Sequence, residues 1–172
     1  MKYKFFITIL AVLTLTITSC SKSKPALDTS LNNVSATITI GNNAPVQFSI
    51  TGAAAMMYPL MSDPSTYHIE ASTESTDLNH ISLAFGLDTV TQIGTYPFTA
   101  NDHRGNGLTV EYGLGPLSET SYSTSDPSIT NKGSVTITVL NKHHIEGFFT
   151  AFCKNDSGEI AAVSNGSFRG NF

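Results

Sequence analysis

Apolar and polar residues alternate along most of the chain from Val34 onward, and this period of two limits the fold more than any other feature. Successive side chains of a β-strand point to opposite faces, so strict alternation indicates a strand with one buried face. Residues 34–40 and 46–50 alternate on either side of the turn residues 41–44, which predicts a hairpin. About nine strands are predicted in all, over residues 34–40, 46–50, 67–71, 81–87, 95–99, 108–114, 135–139, 145–153 and 160–168.

These strands predict a single all-β domain over residues 34–172. Their short connections favour antiparallel pairing, so we expect an antiparallel β-sandwich of about nine strands, with a closed β-barrel as the alternative. The distinction bears on function because a barrel can enclose a small ligand. Residues 53–61 form the only stretch that could make a helical turn, which Pro59 would end. The polar residues 115–132 predict a long loop, a feature that in compact domains is often functional or mobile.

The composition is dominated by hydroxyl side chains and is poor in charge. Serine and threonine together occupy 42 of the 172 positions, which suits the polar faces of a pleated sheet. Charged residues make up 13% of the chain, about half the usual ~25%, and this excludes a coiled coil or a charge-dense disordered chain. With nine basic residues and a formal net charge of −4, the chain is not expected to bind nucleic acid, which requires a basic patch.

The N-terminal residues have the pattern of a bacterial lipoprotein signal peptide. Lys2 and Lys4 precede an apolar run over residues 5–17. At 1.5 Å per residue this run spans about 20 Å, too little for the ~30 Å hydrocarbon core of a membrane. The Ile-Thr-Ser-Cys that follows resembles a lipobox, where the signal peptide is cleaved before a cysteine that becomes acylated. We therefore predict that residues 1–19 are removed and that Cys20 carries lipid; the alternative is an ordinary secretory signal with a chance cysteine.

Residues 20–33 predict a flexible tether between the lipid and the domain, because they are mostly small and polar and have no apolar periodicity. Lys22 stands second after the cysteine, where known sorting rules place aspartate in lipoproteins retained at the inner membrane. By that analogy the protein is expected at the outer membrane, with the periplasmic or surface face left open. Its expected partners are the membrane, through the lipid anchor, and another envelope protein or a glycan.

The C-terminal third carries three short motifs: G-S-V-T-I-T from Gly133, I-E-G-F-F-T-A-F from Ile145 and S-N-G-S-F from Ser164. They resemble the ending of a family of uncharacterised small all-β lipoproteins of Gram-negative bacteria, whose strands read G-x-V-x-I-T, I-x-G-x-F-x-F and T-N-G-S-F. The resemblance extends over about residues 94–168, with Ala151 in place of a family aromatic and Ser164 in place of the threonine. It implies a small all-β lipoprotein domain and no catalytic residue.

Two His-x-Glu patterns are the main candidates for chemistry, at His68 and Glu70 and at His144 and Glu146. A spacing of two places each pair on one face of a strand, and two neighbouring pairs could hold Zn²⁺. The simpler interpretation places both pairs in solvent, because an isoleucine between each histidine and glutamate takes the core-facing position, so we predict neither a metal nor a cofactor. The chain has no G-x-S-x-G motif of a nucleophilic hydrolase, and no enzymatic activity is expected. Cys153 continues the inward series of its strand and is predicted to be a small core residue.

The strand over residues 145–153 carries two phenylalanines on a face that alternation marks as polar. Phe148 and Phe152 fall in register with the polar set of this strand, not with its core set. We expect a second layer of the protein to cover both rings. The alternative is an exposed surface for a protein or glycan partner, made of Phe148, Phe152, His144 and Glu146.

These features together predict a lipid-anchored envelope protein that acts as a non-catalytic binding or structural module. A small-ligand carrier with a barrel interior is the alternative, because the apolar strand faces would line its cavity. A hydrolase is the less favoured alternative.

Overall fold

Eleven β-strands and one 3-10 turn form the part of the chain that the computed structural model describes, namely residues 28–60, 63–73, 79–99, 106–114 and 119–172. The predicted signal peptide, Cys20 and the first part of the predicted tether lie outside the described residues. The strands are β1 (Asn33–Ile40), β2 (Val46–Thr51), β3 (Ala55–Leu60), β4 (Asp63–Ser72), β5 (Asn79–Leu87), β6 (Gly94–Pro97), β7 (Gly107–Leu114), β8 (Glu119–Ser123), β9 (Gly133–Asn141), β10 (His144–Lys154) and β11 (Ile160–Asn171), and the 3-10 turn is Gly52–Ala54. Among these residues no helix is long and apolar enough to cross a membrane.

The all-β prediction is confirmed, and the nine predicted strands are all present together with two that alternation does not reveal. In β3 the exposed apolar residues Met56 and Tyr58 stand between buried ones and mask the pattern. Its Pro59 is tolerated because β3 is an edge strand of the sheet. In β8 only Tyr122 of the five residues is buried. The predicted loop over residues 115–132 is therefore wrong in part, since it contains this strand.

All strand pairs are antiparallel and belong to one sheet. Its main path runs β3-β4-β5-β7-β8-β10-β11-β1-β2, and β9 and β6 extend from β10. The two halves of the sheet join at β10. There β9 pairs with most of the strand, whereas β8 reaches only its end, through Lys154 and Ser123. One half thus consists of β3, β4, β5, β7 and β8, and the other consists of β10 with β11, β1, β2, β9 and β6.

The sheet is nearly closed because its edge strand β3 approaches β11. The sulfur of Met57 lies against Gly170, and Asn32 bridges the two sides. The Asn32 amide donates to the carbonyl oxygen of Ala55 at 2.9 Å, and its Oδ1 accepts the backbone N–H of Asn171 at 2.8 Å. The fold is therefore barrel-like and corresponds to the alternative predicted from the sequence. Asn32 is only 1% exposed, so this residue of the predicted tether belongs to the folded domain.

Aromatic rings fill the space between the two halves of the sheet. The ring centroid of Phe85 on β5 lies 5.0 Å from that of Phe149 and 5.4 Å from that of Phe168, and a third contact, to Phe98, spans 6.5 Å. All four rings are buried. Tilted and edge-on contacts at these distances are the favoured geometry of aromatic pairs. Side chains of β5, β10 and β11 therefore fill the space between the inner faces of these strands. A small-ligand carrier would need a cavity in that place.

Candidate functional site

The outer face of β10 presents two phenylalanines to solvent. Along this strand the inward residues are buried, whereas Phe148 is 59% exposed and Phe152 is 43% exposed. The expectation that a second layer covers both rings is therefore wrong for the part of the chain that the structure describes. An exposed ring amid polar side chains on a pleated sheet is a candidate contact for a partner.

Phe148 lies at the centre of a row of hydroxyl side chains that crosses six strands. It is paired with Thr136 on β9 and with Ser167 on β11. The same register continues outward to both sides, and the full row reads Thr95, Thr136, Phe148, Ser167, Ser35 and Ser49. Neighbouring strands are about 4.8 Å apart, so the row is about 24 Å long. Hydrogen bonds tie its members together, at 3.0 Å between the Thr95 and Thr136 hydroxyls and 2.8 Å between those of Ser35 and Ser167.

Two open grooves flank Phe148 along the direction of β10. The hydroxyl groove has a volume of about 460 Å³, and its polar wall consists of Ser134, Thr136, Thr150, Asn165 and Ser167. The paired-charge groove has a volume of about 400 Å³, and its lining includes Leu31, Asn33, Thr138, Glu146 and Arg169. Phe148 lines both grooves and forms the wall between them. Phe152 lies outside both.

A β-bulge in β11 places Asn165 at the hydroxyl groove. The register between β10 and β11 shifts between Phe149 and Ala151, which leaves β11 with one extra residue. Asn165 lies in this bulge and has a φ of 50°. This is a left-handed conformation, which asparagine tolerates better than most residues. The next residue is Gly166, where a Cβ would lie 2.6 Å from two ring carbons of Phe149. The floor of the groove is therefore backbone packed directly on a core ring.

The hydroxyl groove contains polar side chains that have no hydrogen-bond partner among the described residues. The side chains of Ser134, Thr150 and Asn165 form no hydrogen bond with any other described residue. A serine or threonine hydroxyl can both donate and accept, and the asparagine amide does so through its two ends. These groups face solvent beside Phe148 and are available to a ligand.

The charges of the paired-charge groove are satisfied by one another. Oε1 of Glu146 lies 3.2 Å from Nε of Arg169 and 2.7 Å from Nε2 of His144. Nδ1 of His144 lies 2.6 Å from Oδ1 of Asn171. His144 and Glu146, which the sequence places on the candidate surface, are hydrogen-bonded to each other, and Glu146 also forms an ion pair with Arg169. The opposite charges of Glu146 and Arg169 therefore lie together at the edge of the surface.

The second predicted His-x-Glu pair lies on β4, in the other half of the sheet. Nε2 of His68 is 3.6 Å from Oε2 of Glu70, and the two side chains are about one third exposed. A further pair of the same type joins His80 to Glu119, also at 3.6 Å. In the described ranges no three His, Cys, Asp or Glu side chains come together in a group that could hold a metal ion.

Cys153 is a core residue, as alternation predicts. It is fully buried, and its Sγ lies 3.7 Å from the carbonyl oxygen of Leu108. Burial raises the pKa of the Cys153 thiol to about 12. Only the thiolate is a nucleophile, so this side chain is inert at neutral pH.

A larger polar cleft of about 1050 Å³ lies between β8 and the turn that joins β10 to β11. The sequence does not predict this cleft because alternation does not reveal β8, which forms one of its sides. Three of its charged side chains have partners: Nζ of Lys154 lies 3.7 Å from Oδ2 of Asp126, and the Tyr122 hydroxyl donates to Oε2 of Glu159 at 2.7 Å. Burial, and to a lesser degree the Glu159 carboxylate, raise the pKa of Tyr122 to about 12. The described lining of this cleft has no exposed aromatic ring, and the surface around Phe148 is therefore the better candidate.

The chain matches no protein-family model, no curated protein and no solved structure. The resemblance of residues 94–168 to uncharacterised lipoproteins therefore stays a prediction. Function has to be inferred from the geometry of the outer face and from the chemistry of its side chains.

Proposed function

We propose that this protein is a lipid-anchored, non-catalytic binding module of the bacterial cell envelope. Its binding surface would be the row around Phe148 together with the two grooves. The observation that carries the proposal is the 59% exposure of Phe148 at the centre of a hydroxyl row about 24 Å long. An apolar ring in that position stays exposed to water unless a partner covers it. Because Phe148 is not part of the core, binding of a partner would explain its presence there.

A binding role without catalysis fits the state of the reactive groups. His144 and Arg169 each contact the Glu146 carboxylate, and burial raises the pKa of the Cys153 thiol to about 12. A general acid or base must reach a substrate proton, and a nucleophile must be exposed and activated. The side chains beside Phe148 are instead hydroxyls and an amide, and the described lining of the hydroxyl groove contains no histidine, carboxylate or lysine that could activate a hydroxyl.

The proposed anchor restricts where the partner can be. Asp28, the first described residue, stands eight positions after Cys20, and a fully extended chain over eight steps spans at most about 29 Å. A lipidated protein would therefore hold its domain close to the membrane surface. The partner is accordingly proposed to be an envelope component. The outer membrane is the proposed location because neither Ser21 nor Lys22, the two residues after Cys20, is an aspartate.

The anchor is tested by labelling cells with a radioactive fatty acid and fractionating their membranes. We expect the wild-type protein to carry label and to sediment with the outer membrane, because acyl chains on one cysteine give durable attachment. The Cys20→Ala variant should carry no label. Label retained by Cys20→Ala, or wild-type protein without label, would contradict the proposed anchor.

The binding surface is tested by placing a photoreactive benzoylphenylalanine at position 148 in living cells. This group inserts into C–H bonds and therefore captures protein and glycan partners alike. The control position is Met56, which is 45% exposed on β3 in the other half of the sheet. We expect a discrete adduct at position 148 and none at position 56. No adduct at position 148, or the same adducts at both positions, would contradict the proposed binding surface.

A further inference from the structure

The chemistry of the hydroxyl groove points to a class of ligand. We infer that this groove binds an uncharged polysaccharide. One sugar ring packs its C–H face on the Phe148 ring, and sugar hydroxyls form hydrogen bonds with the side chains of Ser134, Thr150 and Asn165. This inference rests on the proposed function, since it names the ligand of the same surface.

Charge complementarity selects an uncharged ligand. None of the residues that line the hydroxyl groove carries a formal charge, and the hydroxyl row across six strands is likewise neutral. The charges of the adjoining paired-charge groove, Glu146 and Arg169, lie beyond Phe148, and because Oε1 of Glu146 is 3.2 Å from Nε of Arg169 the two charges offset each other. An acidic or basic polymer would lose hydration here and find no opposite charge. A neutral ligand pays no such penalty.

The polar groups of the groove suit sugar hydroxyls in particular. Ser134, Thr150 and Asn165 can each donate and accept, and a sugar hydroxyl requires both. Thr136 and Ser167 already bond to neighbours in the row, and each is thereby held in a fixed orientation. A groove of about 460 Å³ lies within the ~300–1,000 Å³ range of ligand sites, and it is open along the surface, so a polymer can continue beyond it.

The aromatic ring supplies the apolar part of the site. A pyranose has one face of C–H groups with small positive charge, and the face of an aromatic ring is negative. Phe148 is 59% exposed and lines the hydroxyl groove, so a sugar ring in this groove contacts the Phe148 ring. A protein partner would instead be expected to bury a cluster of large apolar residues at the centre of its interface. Here a single ring is surrounded by small hydroxyls.

The experiment is affinity electrophoresis of the full-length lipidated protein in detergent micelles. The native gels contain soluble neutral polysaccharides (an α-glucan, a β-glucan, a mannan and a xylan) or acidic ones (alginate and polygalacturonate). We expect retardation by at least one neutral polymer. It should persist from about 50 mM to about 500 mM salt, because screening affects only charged contacts.

Variants locate the site. Phe148→Ala should weaken binding by about tenfold and Thr150→Val by about threefold, from the loss of the ring contact and of one hydrogen bond. The matched controls are Tyr58→Ala, an exposed aromatic on β3, and Thr120→Val, an exposed threonine on β8; both should bind within about twofold of wild type. Equal thermal unfolding midpoints of all four variants and wild type show that differences in binding are not differences in folding.

Several results would overturn the inference. These are retardation by acidic polymers only, retardation abolished by salt, no retardation by any neutral polymer, or equal binding by Phe148→Ala and wild type. Failure here is distinguishable from failure of the proposed function. If position 148 captures an envelope protein in cells and no polysaccharide binds, the binding module stands and the glycan inference falls. If position 148 captures nothing, the binding module itself falls.

Discussion

The ring of Phe168 occupies the space that a side chain at Gly147 would need. A Cβ at position 147 would lie 2.6 Å from Cζ of Phe168, and it would also collide with the carbonyl oxygen of Thr136 on the neighbouring strand. Gly147 lies on β10 between Glu146 and Phe148, at the floor of the paired-charge groove. The packing of the β10 backbone on the Phe168 ring therefore fixes the position of this strand beneath the proposed binding surface.

Gly147→Ala is expected to destabilise the protein by about 2 kcal/mol or more, because overpacking forces the ring and the strand apart. Chemical denaturation of wild type and variant measures the loss. Thr138→Ala, an exposed change on the adjacent strand, is the control and should stay within about 0.5 kcal/mol. A Gly147→Ala variant as stable as that control would show that Phe168 does not pack on the strand.

Phe148 and Phe149 are neighbours in sequence and are expected to behave as opposites. Phe149 is 2% exposed and contacts the rings of Phe85 and Phe168, so Phe149→Ala should cost about 3–5 kcal/mol. Phe148→Ala removes a largely exposed ring and should cost less than about 1 kcal/mol. Denaturant midpoints of the two variants provide the comparison. Equal losses would mean that Phe148 is covered.

Asn32→Ala tests the contact that brings β3 towards β11. The change leaves the carbonyl oxygen of Ala55 and the N–H of Asn171 without their partner, and each buried unpaired group costs about 1–3 kcal/mol. We expect a loss of at least about 2 kcal/mol in free energy of unfolding. Asn42→Ala, in the exposed turn after β1, serves as the control and should have little effect. A small effect of Asn32→Ala would show that near-closure of the sheet contributes little to stability.

The protein is expected to lose stability at alkaline pH. The pKa values of Cys153 and Tyr122 are raised to about 12 from ordinary values of 9.0 and 10.0. Below about pH 9 both groups are protonated in the folded and the unfolded chain, so they contribute no pH dependence. Between about pH 9 and pH 12 the unfolded chain releases protons that the folded chain keeps, and stability therefore falls as the pH rises.

Unfolding by denaturant at several pH values tests this expectation. A fully buried thiol contributes a slope of at most about 1.4 kcal/mol per pH unit. Cys153→Ala should flatten the part of the slope that begins near pH 9, and Tyr122→Phe the part that begins near pH 10. Slopes that are identical in wild type and both variants would rule out these two groups as the cause.

Much of this structure follows from local pattern. The nine predicted strands are all present, and alternation correctly assigns Phe149 and Cys153 to the core and Phe148 to the outer face. The misses have physical causes. β8 carries one buried residue in five, and β3 exposes apolar side chains, so neither has the contrast between faces on which the prediction depends.

The residues of the candidate site were likewise predicted only in part from the sequence. The sequence singles out Phe148, His144 and Glu146, which share a strand. It does not single out Ser134, Asn165 or the other hydroxyls of the groove, because serine and threonine are abundant and their neighbours across the sheet are unknown from sequence. The bulge that places Asn165 at the groove is a property of the pairing between β10 and β11.

The sequence by itself determined that this is an all-β chain and, for most residues of the nine predicted strands, which side chains face inward, because a period of two follows from the covalent geometry of an extended backbone. Only the tertiary structure decided the rest. That includes the pairing of β8 with the end of β10, the near-closure of the sheet through Asn32 and the alignment of five hydroxyl residues with Phe148. These features depend on register between strands far apart in the chain. Register is set by packing and hydrogen bonding across the whole sheet, which no local pattern records.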